Sequence, residues 1–211
     1  MSKRCYIVGA GEFSDNVLPA DSDFIIAANG GYTALKLRSV SPDLVVGDFD
    51  SVREIPDHPN IIQSSVEKDD TDMMLAVKQG LKRGYKTFVI NGGLGGRLDQ
   101  TFANIQILAY IAKHNAGGIL LGKDICITAL MNGELNFSRE AKKGSILSIF
   151  CAGEKAEGVT IKGLKYTLDK ATLSSSFPLG VSNEFKGMPA VISVENGILI
   201  VMWDGGFSDL C

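Results

Sequence analysis

The residues of this 211-residue chain best suited to chemistry are acids and glycines set at the ends of short apolar runs. In PDLVVGDFDS, Pro42 to Ser51, an apolar run delivers Asp48 and Asp50. Residues two apart in extended backbone project to the same side. Two carboxylates so placed suit a hard divalent cation such as magnesium, which takes few protein carboxylates and keeps positions open for water and phosphate oxygens. The alternative is a polar turn in which Asp and Ser bond the local backbone. In KDDTDMMLA, Lys68 to Ala76, the acids Asp69, Asp70 and Asp72 crowd the start of an amphipathic pattern. Capping of free helix N–H groups accounts for one or two of them. Three acids within four residues repel one another unless a cation or basic partner is present, which assigns at least one to a metal.

The third constellation is NGGLGGRLDQTFAN, Asn91 to Asn104. An apolar run enters Gly92, Gly93, Gly95 and Gly96 and continues into a helical pattern. Backbone amides of such a turn approach phosphate oxygens, and the helix start faces the anion. The loop is neither a Walker A sequence nor a GxGxxG fingerprint. Arg97 brings a planar fork suited to phosphate, whereas Asp99 is better aimed at the metal, an acceptor hydroxyl or a cationic substrate. Gly9–Gly11 and Asn29–Gly31 follow the first two apolar runs, so three glycine-lined strand ends would share one edge of a sheet. Gly30 and Gly31 are therefore placed with Gly92, Gly93, Gly95, Gly96 and Arg97 on the nucleotide side, to which Lys68 and Asp70 are added as candidates.

The elements that must position these residues follow from periodicity. Apolar runs at 5–8, 24–28, 43–46, 60–63, 86–90 and 118–121 read as strands, and 71–82 and 98–113 read as amphipathic helices. This alternation predicts a Rossmann-like, mostly parallel α/β nucleotide-binding domain over residues 1–122, with ligand sites beyond the carboxyl ends of its strands. From 123 to 211 short alternating runs separated by polar turns predict an all-β sandwich. There, Glu195, Asn196 and Gly197 between two β runs predict a hairpin, and 170–178 is expected to be a mobile loop.

Bulk properties narrow the function. With 21 basic and 24 acidic side chains the net charge is -3, which offers no cation excess for a nucleic acid backbone. The four cysteines are widely spaced with no CxxC pair and only two histidines to join them, which argues against a zinc site and for thiols in a reducing compartment. Neither a signal peptide nor a stretch of roughly 20 apolar residues is present, so the expected location is the cytoplasm, away from membranes.

Taken in order, GAG, the GG after the second run, PDLVVGDFDS, KDDTD and GGLGGRLDQ, followed by a β-rich half, resemble the thiamine pyrophosphokinase family. The resemblance implies a Rossmann-like domain followed by a β-sandwich, assembled as a magnesium-dependent homodimer. It implies transfer of the pyrophosphoryl group of ATP to the hydroxyethyl oxygen of thiamine, releasing AMP. It further implies that Asp48, Asp50 and Asp72 hold magnesium, that Arg97 and Gln100 line the phosphates, and that Asp99 faces thiamine. The GVSNEF segment resembles the family's substrate stretch and nominates Ser182 and Asn183 for thiamine, in a site shared between subunits. Catalysis would then rest on Asp48, Asp50, Asp72, Asp99 and Arg97. The family writes ADGG where this chain has Asn29, and its thiamine-stacking tryptophan does not align cleanly with Trp203. Two alternatives stand beside this reading: a related diphosphokinase acting on a pterin alcohol, and a non-catalytic nucleotide or thiamine-diphosphate sensor.

Overall fold

The computed structural model describes residues 3–49, 57–63, 70–139 and 141–211. The chain forms two compact units. One runs to Ile107 and includes His114–Lys123; the other comprises Leu108–Lys113 with Asp124–Cys211.

In the first unit β1 (Cys5–Val8), β2 (Phe24–Ala28), β3 (Leu44–Gly47), β4 (Ile61–Gln63), β5 (Thr87–Asn91) and β6 (Gly117–Leu121) form a wholly parallel sheet. Every residue of β1 and β3 is buried, as expected of strands covered on both faces. The strand order is β6-β5-β1-β2-β3-β4. The chain thus builds outward from β1 to β4, then returns to the other side of β1. That reversal lies between β1 and β5, the place where open parallel sheets leave a crevice beyond their strand ends.

Helix α1 (Gly31–Lys36) is short and was not evident from periodicity. Helix α2 (Asp72–Lys82) buries Met73, Ala76, Val77 and Gly80, an i, i+3, i+4, i+7 stripe. Gly80 is required because a β-carbon there would meet the Phe88 ring and the Cys5 sulfur. Helix α3 (Leu98–Lys113) buries Asn104, Ile107, Leu108 and Ile111 at the same spacing.

The second unit contains β7 (Ile125–Phe137), β8 (Ile146–Cys151), β9 (Lys155–Lys162), β10 (Leu168–Ser174), β11 (Asn183–Glu184) and β12 (Ala190–Asp204), paired antiparallel, with a closing 3-10 turn at Phe207–Asp209. The expected hairpin at Asn196–Gly197 is replaced by one continuous strand, β12, which pairs with β7 along its length. Its first half also pairs with β9 and its second half with β8. A type I′ turn needs positive φ at both central residues, and here Gly197 has φ 120 while Asn196 does not enter that region. The dipeptide instead forms a bulge between Val194 and Ile198, fixed by Asn132 Oδ1 accepting from Gly197 N at 2.8 Å. Strands that change partners at a bulge turn the corner of a packed β structure. Residues 170–174 of the expected loop likewise belong to strand β10, paired with β9. At the centre Phe137 packs edge-on against Phe185 and Trp203, at 5.2 and 5.3 Å between ring centroids.

The four thiols are free. Burial pushes those of Cys5 and Cys126 up to about 12, which removes them as nucleophiles. Among the described residues, no helix is long and apolar enough to cross a membrane.

Candidate active site

Strand β2 ends at Asn29, which takes φ 47, a left-handed conformation that asparagine tolerates better than most residues. Its N–H donates to Val46 O at 2.7 Å, pinning it against the end of β3, where Asp48 follows. Helix α2 begins at Asp72. Its cap is Thr71, whose hydroxyl oxygen accepts from Met74 N at 3.1 Å, so the acids are not needed for that duty. Asp72 instead meets Asn29: Asn29 Nδ2 donates to Asp72 Oδ2 at 2.9 Å and to Asp48 Oδ1 at 3.2 Å. Two carboxylates from elements 24 residues apart thus converge on one amide nitrogen. Asn29 Oδ1 is buried and has no hydrogen-bond partner among the described residues. Asp70, two residues before Asp72 in sequence, forms an ion pair with Lys78 at 2.6 Å.

The glycine loop occupies the neighbouring strand ends. Gly9 N donates to Asn91 O at 2.8 Å, Gly11 N to Gly92 O at 2.7 Å and Glu12 N to Leu94 O at 2.8 Å, so the loops after β1 and β5 are laced together. Their approach leaves no room for a β-carbon at Gly9, Gly11 or Gly92. Gly31 likewise sits on the carbonyl of Val8, so its small size has a packing cause of its own. Asn91, fully buried, accepts from Ser14 N and Gly92 N, each at 2.8 Å, and donates to Tyr6 Oη at 2.8 Å and Ser14 O at 2.7 Å. Asn104 of α3 donates to Gly93 O at 2.8 Å.

At the mouth of the loop, Arg97 and Asp99 form an exposed bidentate pair, 2.6 Å at its shorter contact. The Arg97 guanidinium holds the Asp99 carboxyl below its ordinary range, helped by the Gln100 N–H. Such an exposed pair is weak in water, so either partner is readily exchanged for a ligand. Gln100 is exposed beside it.

The structure therefore forms two groups at the carboxyl ends of the sheet. Asp48, Asp72 and Asn29 lie at the ends of β3 and β2 with α2; Gly92, Gly93, Gly95, Gly96, Arg97, Asp99 and Gln100 follow β5. No direct contact joins the groups among the described residues. Three strand spacings separate β3 from β5, roughly 14 Å at about 4.8 Å each. Asp50, Lys68 and Asp69 lie outside the described residues.

Two family descriptions match the chain: "Thiamin pyrophosphokinase, catalytic domain" over residues 16–120 and "Thiamin pyrophosphokinase, vitamin B1 binding domain" over residues 133–199. A Bacillus subtilis thiamine pyrophosphokinase is 30% identical over 183 residues, covering 84% of this chain and 85% of the relative. The chain belongs to the thiamine pyrophosphokinase family.

Solved structures agree. A crystal structure of thiamine pyrophosphokinase from Bacillus subtilis superposes with a TM-score of 0.83 at 27% identity, covering 97% of this chain and all of that one. A thiamin pyrophosphokinase family protein from Enterococcus faecalis gives 0.79 at 25% identity, with coverage of 97% and 100%. The family's arrangement of an α/β part followed by a β part is thus the arrangement here. In the segment matched by the thiamine pyrophosphokinase B1-binding description, Ser182 is exposed, with φ 60, and its N–H donates to Ser148 Oγ at 3.0 Å. Asn183 is buried: its Oδ1 accepts from the N–H groups of Tyr166 and Glu184, and its Nδ2 donates to Tyr166 O at 2.6 Å. Its amide shapes the segment from within. Trp203 is a core residue, its indole N–H directed at Gly206 O at 3.3 Å.

Sequence reasoning missed the parts played by Asn29, Asn91 and Asn104. For Asn29 and Asn91 the available signal was an asparagine at the end of an apolar strand, where an amide can tie several groups at once; Asn104 lies within α3 and offered no such signal.

Proposed function

We propose that this chain is a magnesium-dependent thiamine pyrophosphokinase, using ATP and thiamine to form thiamine diphosphate and AMP, and working in the cytoplasm as a homodimer with shared active sites. The observation that carries this reading is the convergence of Asp48 and Asp72 on Asn29, at the same carboxyl edge of a parallel sheet that carries the glycine loop. The donors fit a hard cation: oxygens of two carboxylates, Asp48 and Asp72, converge within hydrogen-bond reach of one point, the Asn29 Nδ2. Asp48 and Asp72, with Asp50 by family resemblance, are the residues that would hold magnesium. Once bound, the ion supplies Lewis acidity toward the phosphate oxygens.

The remaining work falls to the chain. The loop of Gly92–Gly96, with Gly30 and Gly31 on the opposite side of β1, lets backbone reach the nucleotide. Arg97 leaves its exposed partner for a phosphate oxygen, and Gln100 lies alongside; Lys68 and Asp70 complete the nucleotide side. The thiamine hydroxyl oxygen bonds to the β-phosphorus as the bond from that phosphorus to the α,β-bridging oxygen breaks. AMP departs with the bridging oxygen, and the hydroxyl proton passes to a carboxylate. The carboxylates placed to accept it are Asp72 and Asp99. Asp99 also serves to receive the cationic thiamine, together with Ser182 and the segment that Asn183 shapes. Positioning and charge neutralisation dominate such transfers, so no protein nucleophile is required.

The test is mass detection of products from ATP, magnesium and thiamine. Equal amounts of AMP and thiamine diphosphate are expected from the wild-type chain, with neither from Asp50→Asn. Product only with a pterin alcohol, or tight binding without AMP, would reassign the chain to one of the two alternatives.

A further inference from the structure

We propose that Asn29 is a positioning residue that stands in for the cation. Its amide holds Asp48 and Asp72 together while the site is empty, and its neutrality keeps the affinity of the nucleotide-free protein for the ion low. This rests on the reading of Asp48 and Asp72 as cation ligands.

The argument begins with the backbone. Asn29 is fixed in place by its φ of 47 and by the bond from its N–H to Val46 O, so its side chain has little choice of direction. Both carboxylates lie within hydrogen-bond reach of the same atom, Nδ2, at 2.9 and 3.2 Å. Charge sets the orientation of the amide, because the reversed group would aim a carbonyl oxygen at two carboxylates. The consequence appears on the other side, where Oδ1 is buried without a partner. An unpaired buried oxygen is costly, and it persists only if the arrangement across the amide is worth more. Two anions drawn onto one nitrogen provide that reason, since their repulsion would otherwise spread them.

A carboxylate at this position would act oppositely. It would add a third negative charge to the empty site and a stronger ligand to the loaded one. Cation affinity in oxygen-ligand sites rises with ligand charge. The neutral amide therefore favours entry of the cation together with phosphate oxygens that complete its shell.

The experiment compares wild type with Asn29→Asp and Asn29→Gly, melting each in EDTA and in saturating Mn2+ and titrating free Mn2+ by electron paramagnetic resonance without nucleotide. Glycine accepts the positive φ and removes the amide, so it separates backbone from side chain. Asn29→Asp is expected to melt lower than wild type in EDTA by about 3 °C or more. Mn2+ should close that gap, and the variant should bind the ion roughly tenfold more tightly. Asn29→Gly should also melt lower in EDTA and recover in Mn2+, without the gain in affinity. Wild-type melting and Mn2+ affinity in Asn29→Asp would overturn the proposal, as would a deficit in Asn29→Gly that Mn2+ leaves unchanged. If wild type forms AMP yet neither it nor Asn29→Asp responds to Mn2+, the cation assignment of Asp48 and Asp72 fails instead, and the EDTA melting of the two variants decides the clamp alone.

Discussion

Two asparagines end neighbouring regions of the same sheet, and their hydrogen bonds differ in kind. Asn91, the last residue of β5, is fully buried, and both of its polar atoms are satisfied by Tyr6, Ser14 and Gly92. Asn29, after β2, uses one face on two acids and leaves the other unpaired. The first network is complete within the chain and holds the glycine loop in shape whatever is bound. The second leaves Asn29 Oδ1 without a partner among the described residues and draws two like charges onto one donor. Rigidity and reactivity are thus assigned to different ends of one crevice edge, as preorganised sites require.

This contrast can be broken in steps. Asp72→Asn removes charge from the incomplete network and should lower AMP formation on the order of 1,000-fold in a coupled assay. Melting in EDTA should be retained, because one of two repelling carboxylates is gone. Asn91→Ala attacks the complete network and should reverse the pattern. Stranding several buried groups costs about 3 kcal/mol in chemical denaturation, while turnover per folded molecule suffers far less than in Asp72→Asn. If Asn91→Ala silences the enzyme without destabilising it, the division between the two asparagines is wrong. Arg97→Gln should act between them: kcat/KM falls about 10–100-fold through loss of a charged phosphate contact, and the melting curve stays in place because the Arg97–Asp99 pair is exposed.

How far the sequence foretells this contrast depends on range. The six strands of the first unit were legible because each is a short apolar run, and β1 is buried on every residue. Both long helices were legible from their stripes. The acids and glycines were visible by type, and parallel topology explains why they share the carboxyl edge. What could not be read was partnership. Nothing local says that Asn29 lies between Asp48 and Asp72, since the contact joins three elements distant in sequence. Nor does local sequence say that Thr71 caps α2 while Asp72 meets Asn29, or that Asp99 pairs with Arg97. The Asn196–Gly197 misreading has the same origin. The dipeptide has strong local turn chemistry, but pairing with β7, β8 and β9 along β12 overrides it. Asn183 also illustrates the limit: its position in the motif was evident, its burial was not.

The other end of β2 supplies the gentlest test. Just before the strand, Asp23 is buried and paired with Arg4 at 2.6 Å, and it also accepts from Ala20 N at 2.9 Å. Burial alone would raise its carboxyl, but the Arg4 and Ala20 hydrogen bonds outweigh it and hold the group below its ordinary 3.8. The folded chain therefore binds this proton less readily than the unfolded chain. The contribution is fully present above about pH 4, near the unfolded value, and is lost as pH falls through the lower folded value. Asp23→Asn should melt lower than wild type at neutral pH, and the difference should narrow on acidification below pH 4. Activity per folded molecule at neutral pH should be unaffected, because the pair lies at the amino end of the strand, away from the carboxyl edge. A variant whose deficit is the same at pH 3 and pH 7 would show that Asp23 acts through packing alone. Loss of turnover without loss of stability would show that the two ends of β2 are coupled, and the separation of structural from reactive groups would have to be redrawn.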